Sequence, residues 1–276
     1  MDGMNRIIAD YHMHSRISPD AHDEMRLMCQ AAIDKGLKEI CVTEHFEYYP
    51  KTRDKMCMDP ALLDEYDEML SICQREFEGR LVLRAGIEIG QHYYWPEHAH
   101  DILHVKHHYD YVIGSVHKPN KQGKDLGDVP YSAETLDAMC LEYIDGLYQM
   151  ADKADFDCAG HLDLIKRYAA KSGFTVSLLD YKDEVAQVLR RIIERGKGLE
   201  INTSGLRQEV GLPMPSLDIL KLYRELGGEI LTVGSDAHFA KDIAANFDDA
   251  RRLALSAGFD HLALYHERKP SFYPIA

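Results

Sequence analysis

Short runs rich in Val, Ile and Leu recur along this chain, and between them lie longer stretches in which apolar residues return at i, i+3, i+4 and i+7. The runs are RIIAD (6–10), KEICV (38–42), LVLRAGIEI (81–89), YVIGSV (111–116), FDCAG (156–160), LEINT (199–203), EILTVGS (229–235) and HLALY (261–265). The periodic stretches cover 24–36, 60–79, 132–152, 180–196 and 216–228. The first pattern predicts strands and the second predicts amphipathic helices. Gly36, Gly79, Gly196 and Gly227 stand where helices stop, and Asp59-Pro60 and Ser132 where they start. Regular strand–helix alternation predicts a mostly parallel sheet with helices outside it, and seven or eight units suggest a barrel. No Pro/Ser-rich linker divides the 276 residues, so one domain over 1–276 is expected. The longest polar loop, 117–132, follows a strand directly and reads equally as an active-site flap or as a surface insertion.

Composition narrows the class. Hydrophobic residues make up 45% and charged residues 28%, as in ordinary globular proteins. No apolar run is long enough to span a membrane, and the N-terminus lacks a signal-peptide core, which predicts a cytoplasmic protein. Cys29, Cys41, Cys57, Cys73, Cys140 and Cys158 form no C-x-x-C pair and several sit in apolar stretches, so reduced buried thiols are expected. The formal charge of −14 argues against a nucleic-acid binder. It does not exclude an anionic substrate if divalent metals supply the local charge.

The chemistry sits at the strand ends. In a parallel barrel, functional side chains project from the C-terminal ends of the strands. The first run leads into DYHMH, which places His12 and His14 on one face of an extended chain. The later runs end in TEH (Glu44, His45), GIEIG (Glu88), GSVH (His117), AGHLD (His161, Asp163) and GSDAH (Asp236, His238). Glu88 is a carboxylate inside an apolar strand, costly to bury without a cation or strong donors. Any one of these has a bland reading as a hydrogen-bonded loop residue or a helix cap. Together they exceed one metal's needs and suit two or three ions of zinc, manganese or iron type, without thiolates.

The order HxH, downstream Asp, TEH, isolated strand Glu, SVH, GH and SDAH resembles the polymerase and histidinol phosphatase (PHP) family from Asp10 to about Phe239. That resemblance implies a distorted (β/α)7 TIM-like barrel with three divalent metal ions. His12 and His14 would hold one ion with Glu88 and Asp236. Glu88 would bridge to a second held by His117 and His161. Asp20, His45 and His238 would hold a third, with His22, two residues beyond Asp20, as the alternative ligand. GHLDLIKRY and EINTSGLRQ are similar to the stand-alone histidinol-phosphate phosphatases of the family, and the length fits a free enzyme. The implied activity is hydrolysis of L-histidinol phosphate, in histidine biosynthesis.

A hydroxide formed on the metals would attack phosphorus, because metal-bound water ionises near neutral pH. Arg167 and Arg207 would clamp the phosphate, with Ser204 and Asp163 also binding substrate. Asp236 and His117 complete the catalytic set. The leaving alcohol could take its proton from Asp163, Asp236 or a metal-bound water. The amine and imidazole could be received by Glu47, Asp163 or the aromatic run Tyr93-Tyr94-Trp95. Three rivals stand beside this reading. The first is a PHP-type phosphoesterase acting on a nucleotide or another small phosphate monoester. The second is an amidohydrolase-like enzyme, which the two strand-end arginines disfavour. The third is a non-catalytic module, which would lack some ligands. Oligomeric state is not legible in the sequence.

Overall fold

The computed structural model describes residues 6–47, 60–119 and 123–276. Cys57, the helix start at Asp59 and the 120–122 part of the polar loop lie outside the described residues. Seven parallel strands lie side by side in chain order. They are β1 (Ala9–Asp10), β2 (Glu39–Glu47), β3 (Val82–Gly90), β4 (Tyr111–Ser115), β5 (Cys158–Ala159), β6 (Gly198–Asn202) and β7 (Leu231–Gly234). The sheet curls until its first and last strands meet. Tyr11 N donates to Val233 O at 3.0 Å, Asp236 N to His12 O at 2.7 Å and His14 N to Ala237 O at 2.9 Å. The result is a distorted (β/α)7 barrel, with β1 and β5 reduced to two residues each. Every residue of β2, β4, β6 and β7 is buried. Burial on both faces is why these strands read as continuous apolar runs rather than alternating ones.

The helices form the outer layer: α1 (Met25–Asp34), α2 (Pro60–Glu76), α3 (Pro96–His100), α4 (Leu136–Lys153), α5 (Ile165–Lys171), α6 (Lys182–Glu194), α7 (Leu217–Glu225) and α8 (Phe247–Ser256). Gly36 and Gly196 have φ of 75° and 66°, the left-handed stop expected after α1 and α6. The helix expected from residue 132 starts only at Leu136. The Ser132 and Thr135 hydroxyls instead bond each other and the backbone of a preceding turn, the usual competition from such side chains. Three helices have no counterpart in the periodicity reading. α3 and α5 have five and seven residues, too few to display a period. α8 buries Phe247, Ala250 and Ala254, and a stripe made mostly of alanine is a weak apolar signal. Among the described residues no helix is long and apolar enough to cross a membrane.

The run at 261–265 is not an eighth barrel strand. It forms β8 (His261–His266), which pairs antiparallel with β9 (Lys269–Pro274). Seven strands already close the barrel, so this hairpin covers its N-terminal end. Arg268 N donates to Asp110 O at 2.9 Å, and its guanidinium pairs with Asp155 and Asp157, all three just ahead of β4 or β5. Tyr265 packs on Tyr111 at 4.9 Å between ring centroids, and Tyr111 on Tyr11 at 5.1 Å. With Ala9, Cys41, Ile113 and Cys158 they fill the barrel floor with apolar atoms. Polar side chains therefore collect at the opposite, C-terminal mouth.

Candidate metal centre

Nine side chains converge at that mouth. His12 and His14 follow β1, His45 lies in β2, Glu88 in β3, and His117 and His161 follow β4 and β5. Asp236 and His238 follow β7, and Asp20 comes from the loop before α1. Glu88 is at the centre. Its Oε2 lies 3.3 Å from His12 Nε2, 3.5 Å from His14 Nε2 and 2.8 Å from His45 Nδ1. Its Oε1 lies 2.8 Å from His161 Nε2 and 3.3 Å from His117 Nε2. Asp236 Oδ1 is 3.6 Å from His12 Nε2 and 3.4 Å from His14 Nε2. Asp20 Oδ2 is 3.2 Å from His238 Nε2 and 3.6 Å from His45 Nε2. The ring of His22 instead stacks on Phe239 at 4.3 Å.

These contacts fit cation ligands better than a plain hydrogen-bond network. Glu88 Oε2 and His45 Nδ1 are both buried and neither has an aligned hydrogen bond, although they approach to 2.8 Å. Four trios drawn from this cluster could each surround one ion: His12–His14–Asp236, His12–Glu88–His161, His45–Glu88–His117 and His14–His45–His238. Nitrogen and oxygen donors without sulfur suit zinc, manganese or iron. The electrostatics of the bare cluster show the same demand for positive charge. Burial alone would raise Glu88, but His12, His45 and His117 hold it well below the ordinary carboxylate range. Burial pulls His117 down, yet Glu88 and Glu47 raise it to about 9. Burial, with repulsion from His45 and His238, takes His14 down to about 3.

A further layer of side chains fixes the rings, and most of it was not read from the sequence. Glu200 Oε1 lies 2.6 Å from His12 Nδ1, and its Oε2 accepts from His161 N at 2.9 Å and Asn202 Nδ2 at 3.2 Å. Glu47 Oε1 lies 2.5 Å from His117 Nδ1, while its other oxygen pairs with the buried Lys118. A carboxylate on the far ring nitrogen sets the tautomer that leaves Nε2 facing the cluster. The signal for Glu200 was present: like Glu88, it is a carboxylate inside an apolar strand. Two glycines make room for these carboxylates. A Cβ on Gly234 would stand 2.3 Å from Glu200 Oε1 and from His12 Cβ, and one on Gly90 would stand 2.5 Å from Glu47 Oε1. Glu44, beside His45 in sequence, turns away from the cluster. It accepts from the backbone and hydroxyl groups of Ser15 and Ser18, ordering the loop that carries Asp20. His161 and Asp236 have φ of 24° and 53°. Left-handed backbone at non-glycine residues costs on the order of 1–3 kcal/mol and concentrates at functional sites.

The remaining expected site residues divide. Arg167 lines the cavity over the cluster, and its Nε has no hydrogen bond. Ser204 Oγ donates to Asp236 Oδ2 at 3.1 Å and to Asn202 Oδ1 at 2.7 Å. Arg207 is not in the cavity wall. It donates to Ser235 O at 2.7 Å and lies 3.9 Å from Asp242, bracing the turn that bears Asp236. Asp163 is also outside that wall, accepting from Lys166 Nζ at 2.7 Å and Ser216 N at 3.0 Å. Tyr93 packs on Tyr94, whose hydroxyl donates to Pro119 O at 2.8 Å; neither they nor Trp95 line the cavity.

Comparison with known proteins bears on this site. The PHP domain family profile matches residues 10–204. A histidinol-phosphatase of Lactococcus lactis subsp. lactis (strain IL1403) is 29% identical, over 94% of this chain and 95% of the relative. A probable histidinol-phosphatase of Deinococcus radiodurans is 30% identical, over 95% and 98%. The crystal structure of histidinol phosphate phosphatase from Lactococcus lactis, complexed with zinc, L-histidinol and phosphate, superposes with a TM-score of 0.80 at 26% identity. It covers 98% of this chain and all of that one.

Proposed function

This chain belongs to the PHP domain family, and we propose that within it the protein is a metal-dependent phosphoric monoester hydrolase that converts L-histidinol phosphate to L-histidinol and phosphate. The observation that carries this reading is Glu88, whose two oxygens face two different sets of imidazoles at the barrel mouth. A full-length likeness to a structure that holds zinc, L-histidinol and phosphate supports the substrate.

We infer three divalent ions: His12, His14, Glu88 and Asp236 would hold the first, Glu88, His117 and His161 the second, and Asp20, His45 and His238 the third. Bound divalent ions supply neutralisation of the phosphate charge and a nucleophile drawn from water at neutral pH. The chain does the rest. Glu200 and Glu47 hold His12 and His117 with Nε2 presented to the cluster. Arg167 offers a guanidinium to the phosphate and to the charge that grows on it in the transition state. Arg207 and Ser204 act on the same chemistry from behind, by holding Asp236 and its turn. Burial would raise Asp236, but His12 and the bond to His14 keep it well below the carboxylate range. An ionised carboxylate in that position suits a metal ligand.

The test is phosphate release from L-histidinol phosphate by protein loaded with manganese or zinc, set against nucleotides and simple aryl phosphates. A kcat/KM for L-histidinol phosphate no higher than for those esters would refute the substrate and leave a general PHP phosphoesterase.

A further inference from the structure

The ester proposed above carries an ammonium group and an imidazole besides its phosphate, and the cavity must receive a cation somewhere. Among the described residues, the carboxylates in its wall are Asp20, Glu47, Glu88, Asp125 and Asp236. Asp20, Glu88 and Asp236 face the imidazole cluster. Glu47 is committed to His117 and Lys118. Asp125 remains. It stands on the loop after β4 with its side chain 26% exposed. Its Oδ1 accepts from Gly127 N at 2.8 Å. Its Oδ2 has no hydrogen bond among the described residues; its nearest cation is Lys118 Nζ at 3.7 Å, which is bound more closely to Glu47.

This carboxylate is held firmly. Leu126 is buried, and its N–H donates to His117 O at 3.0 Å, tying the turn to a residue of the cluster. Gly127 packs so closely on the Tyr168 ring that a Cβ there would come within 3.0 Å of it. Tyr168 itself lines the cavity beside Arg167. The wall thus has a guanidinium for an anion and, on a separate element, a fixed carboxylate with an open oxygen.

We propose that Asp125 is a specificity-determining residue, whose Oδ2 accepts the ammonium group of the substrate. The inference rests on the L-histidinol phosphate reading and assigns its cationic end. It also makes Asp125, in the described part of the loop after β4, a binding residue rather than part of a surface insertion.

The experiment uses Asp125→Asn in the metal-loaded full chain. Asparagine keeps an oxygen for Gly127 N and removes the charge. The readout is the ratio of kcat/KM for L-histidinol phosphate to that for p-nitrophenyl phosphate, which has no ammonium group. A charged hydrogen bond is worth about 10- to 100-fold, so the ratio should fall by about that factor through KM. The inhibition constant for L-histidinol should rise by about the same factor, and Asp125→Glu should recover part of the ratio. A fall in both esters that leaves the ratio unchanged would mark Asp125 as a structural cap and overturn the inference. So would an unchanged KM for L-histidinol phosphate. Failure of the underlying reading is separate and is seen in the parent protein: no preference for L-histidinol phosphate there overturns the substrate and this inference with it.

Discussion

Glu200→Gln separates a ring held for metal binding from a ring that is merely packed. Glu200 is buried, as is His12, and the 2.6 Å contact between Oε1 and Nδ1 lies within the range of charge-assisted hydrogen bonds. His12 must carry its proton on Nδ1 if Nε2 is to face Glu88 and Asp236. Glutamine has one carbonyl oxygen. If that oxygen serves His161 N and Asn202 Nδ2, as Glu200 Oε2 does now, the amide NH2 meets the Nδ1 proton and two donors face each other. A buried hydrogen bond to a charged group contributes about 1.5–3 kcal/mol, or roughly 10- to 150-fold in affinity. Loss of a partner behind a metal ligand typically costs about 10- to 100-fold in metal affinity, so the two magnitudes agree. Competition with a chromophoric zinc chelator measures the affinity directly, and circular dichroism of the metal-free protein checks the fold. The expected result is weakened binding of one ion, with activity recovered in excess metal. Binding of every ion within about twofold of the parent protein, with the fold retained, would refute the reasoning.

Other outcomes follow from the same geometry. Chelation should abolish phosphate release, and manganese or zinc should restore it; activity that survives in protein shown metal-free by elemental analysis would remove the metal centre from the chemistry. His117 is raised from 6.5 to about 9, so the bare cluster's His117–carboxylate pairing stabilises the fold fully below about pH 6.5 and loses that contribution as pH rises through about 9. Metal loading near pH 7.5 should therefore release a proton, and affinity should rise with pH up to about 9; identical calorimetric heats in buffers of different ionisation enthalpy would contradict this. Gly234→Ala, which drives a methyl into Glu200 and His12, should cost about 1–3 kcal/mol and weaken metal binding, as read by thermal melts and zinc titration. Arg167→Ala should lower kcat/KM by about 10²- to 10³-fold, whereas Arg207→Ala should lower it less and in a way that excess metal partly restores, because it acts through the Asp236 turn; the reverse order would return the phosphate clamp to Arg207.

Much of the fold was legible because it is written in local patterns. Seven of the eight apolar runs became barrel strands, and the helix stops at Gly36 and Gly196 have the backbone that glycine permits. The eighth run shows the limit. HLALY has the composition of a strand, but whether it joins the barrel depends on whether seven strands already close it, and no local pattern carries that. The same limit applied at the site. Histidines and acids at strand ends could be listed from the sequence, because strand direction sends them to one mouth. The separate placements of Arg167 and Arg207 could not be read, since where a side chain beyond a strand end points depends on the turn or helix that carries it: Arg167 lies in α5 and Arg207 in the turn after β6. One arginine lines the cavity and the other meets the carbonyl of Ser235, a residue of a different strand end.

By itself, then, the sequence determined the strand–helix repeat, the closing glycines and the run of histidines and carboxylates at strand ends, all properties set by residue type and short spacing, while Asp20 was reached only through the family resemblance. Tertiary structure alone decided how those donors are shared. Glu88 lies between two sets of imidazoles, Glu200 reaches His12 across the barrel from 188 positions away, and Asp125 is left with an open oxygen in the cavity wall. Such pairings depend on where closure of the barrel brings distant strand ends within about 3 Å, a distance at which buried charges are strongly coupled.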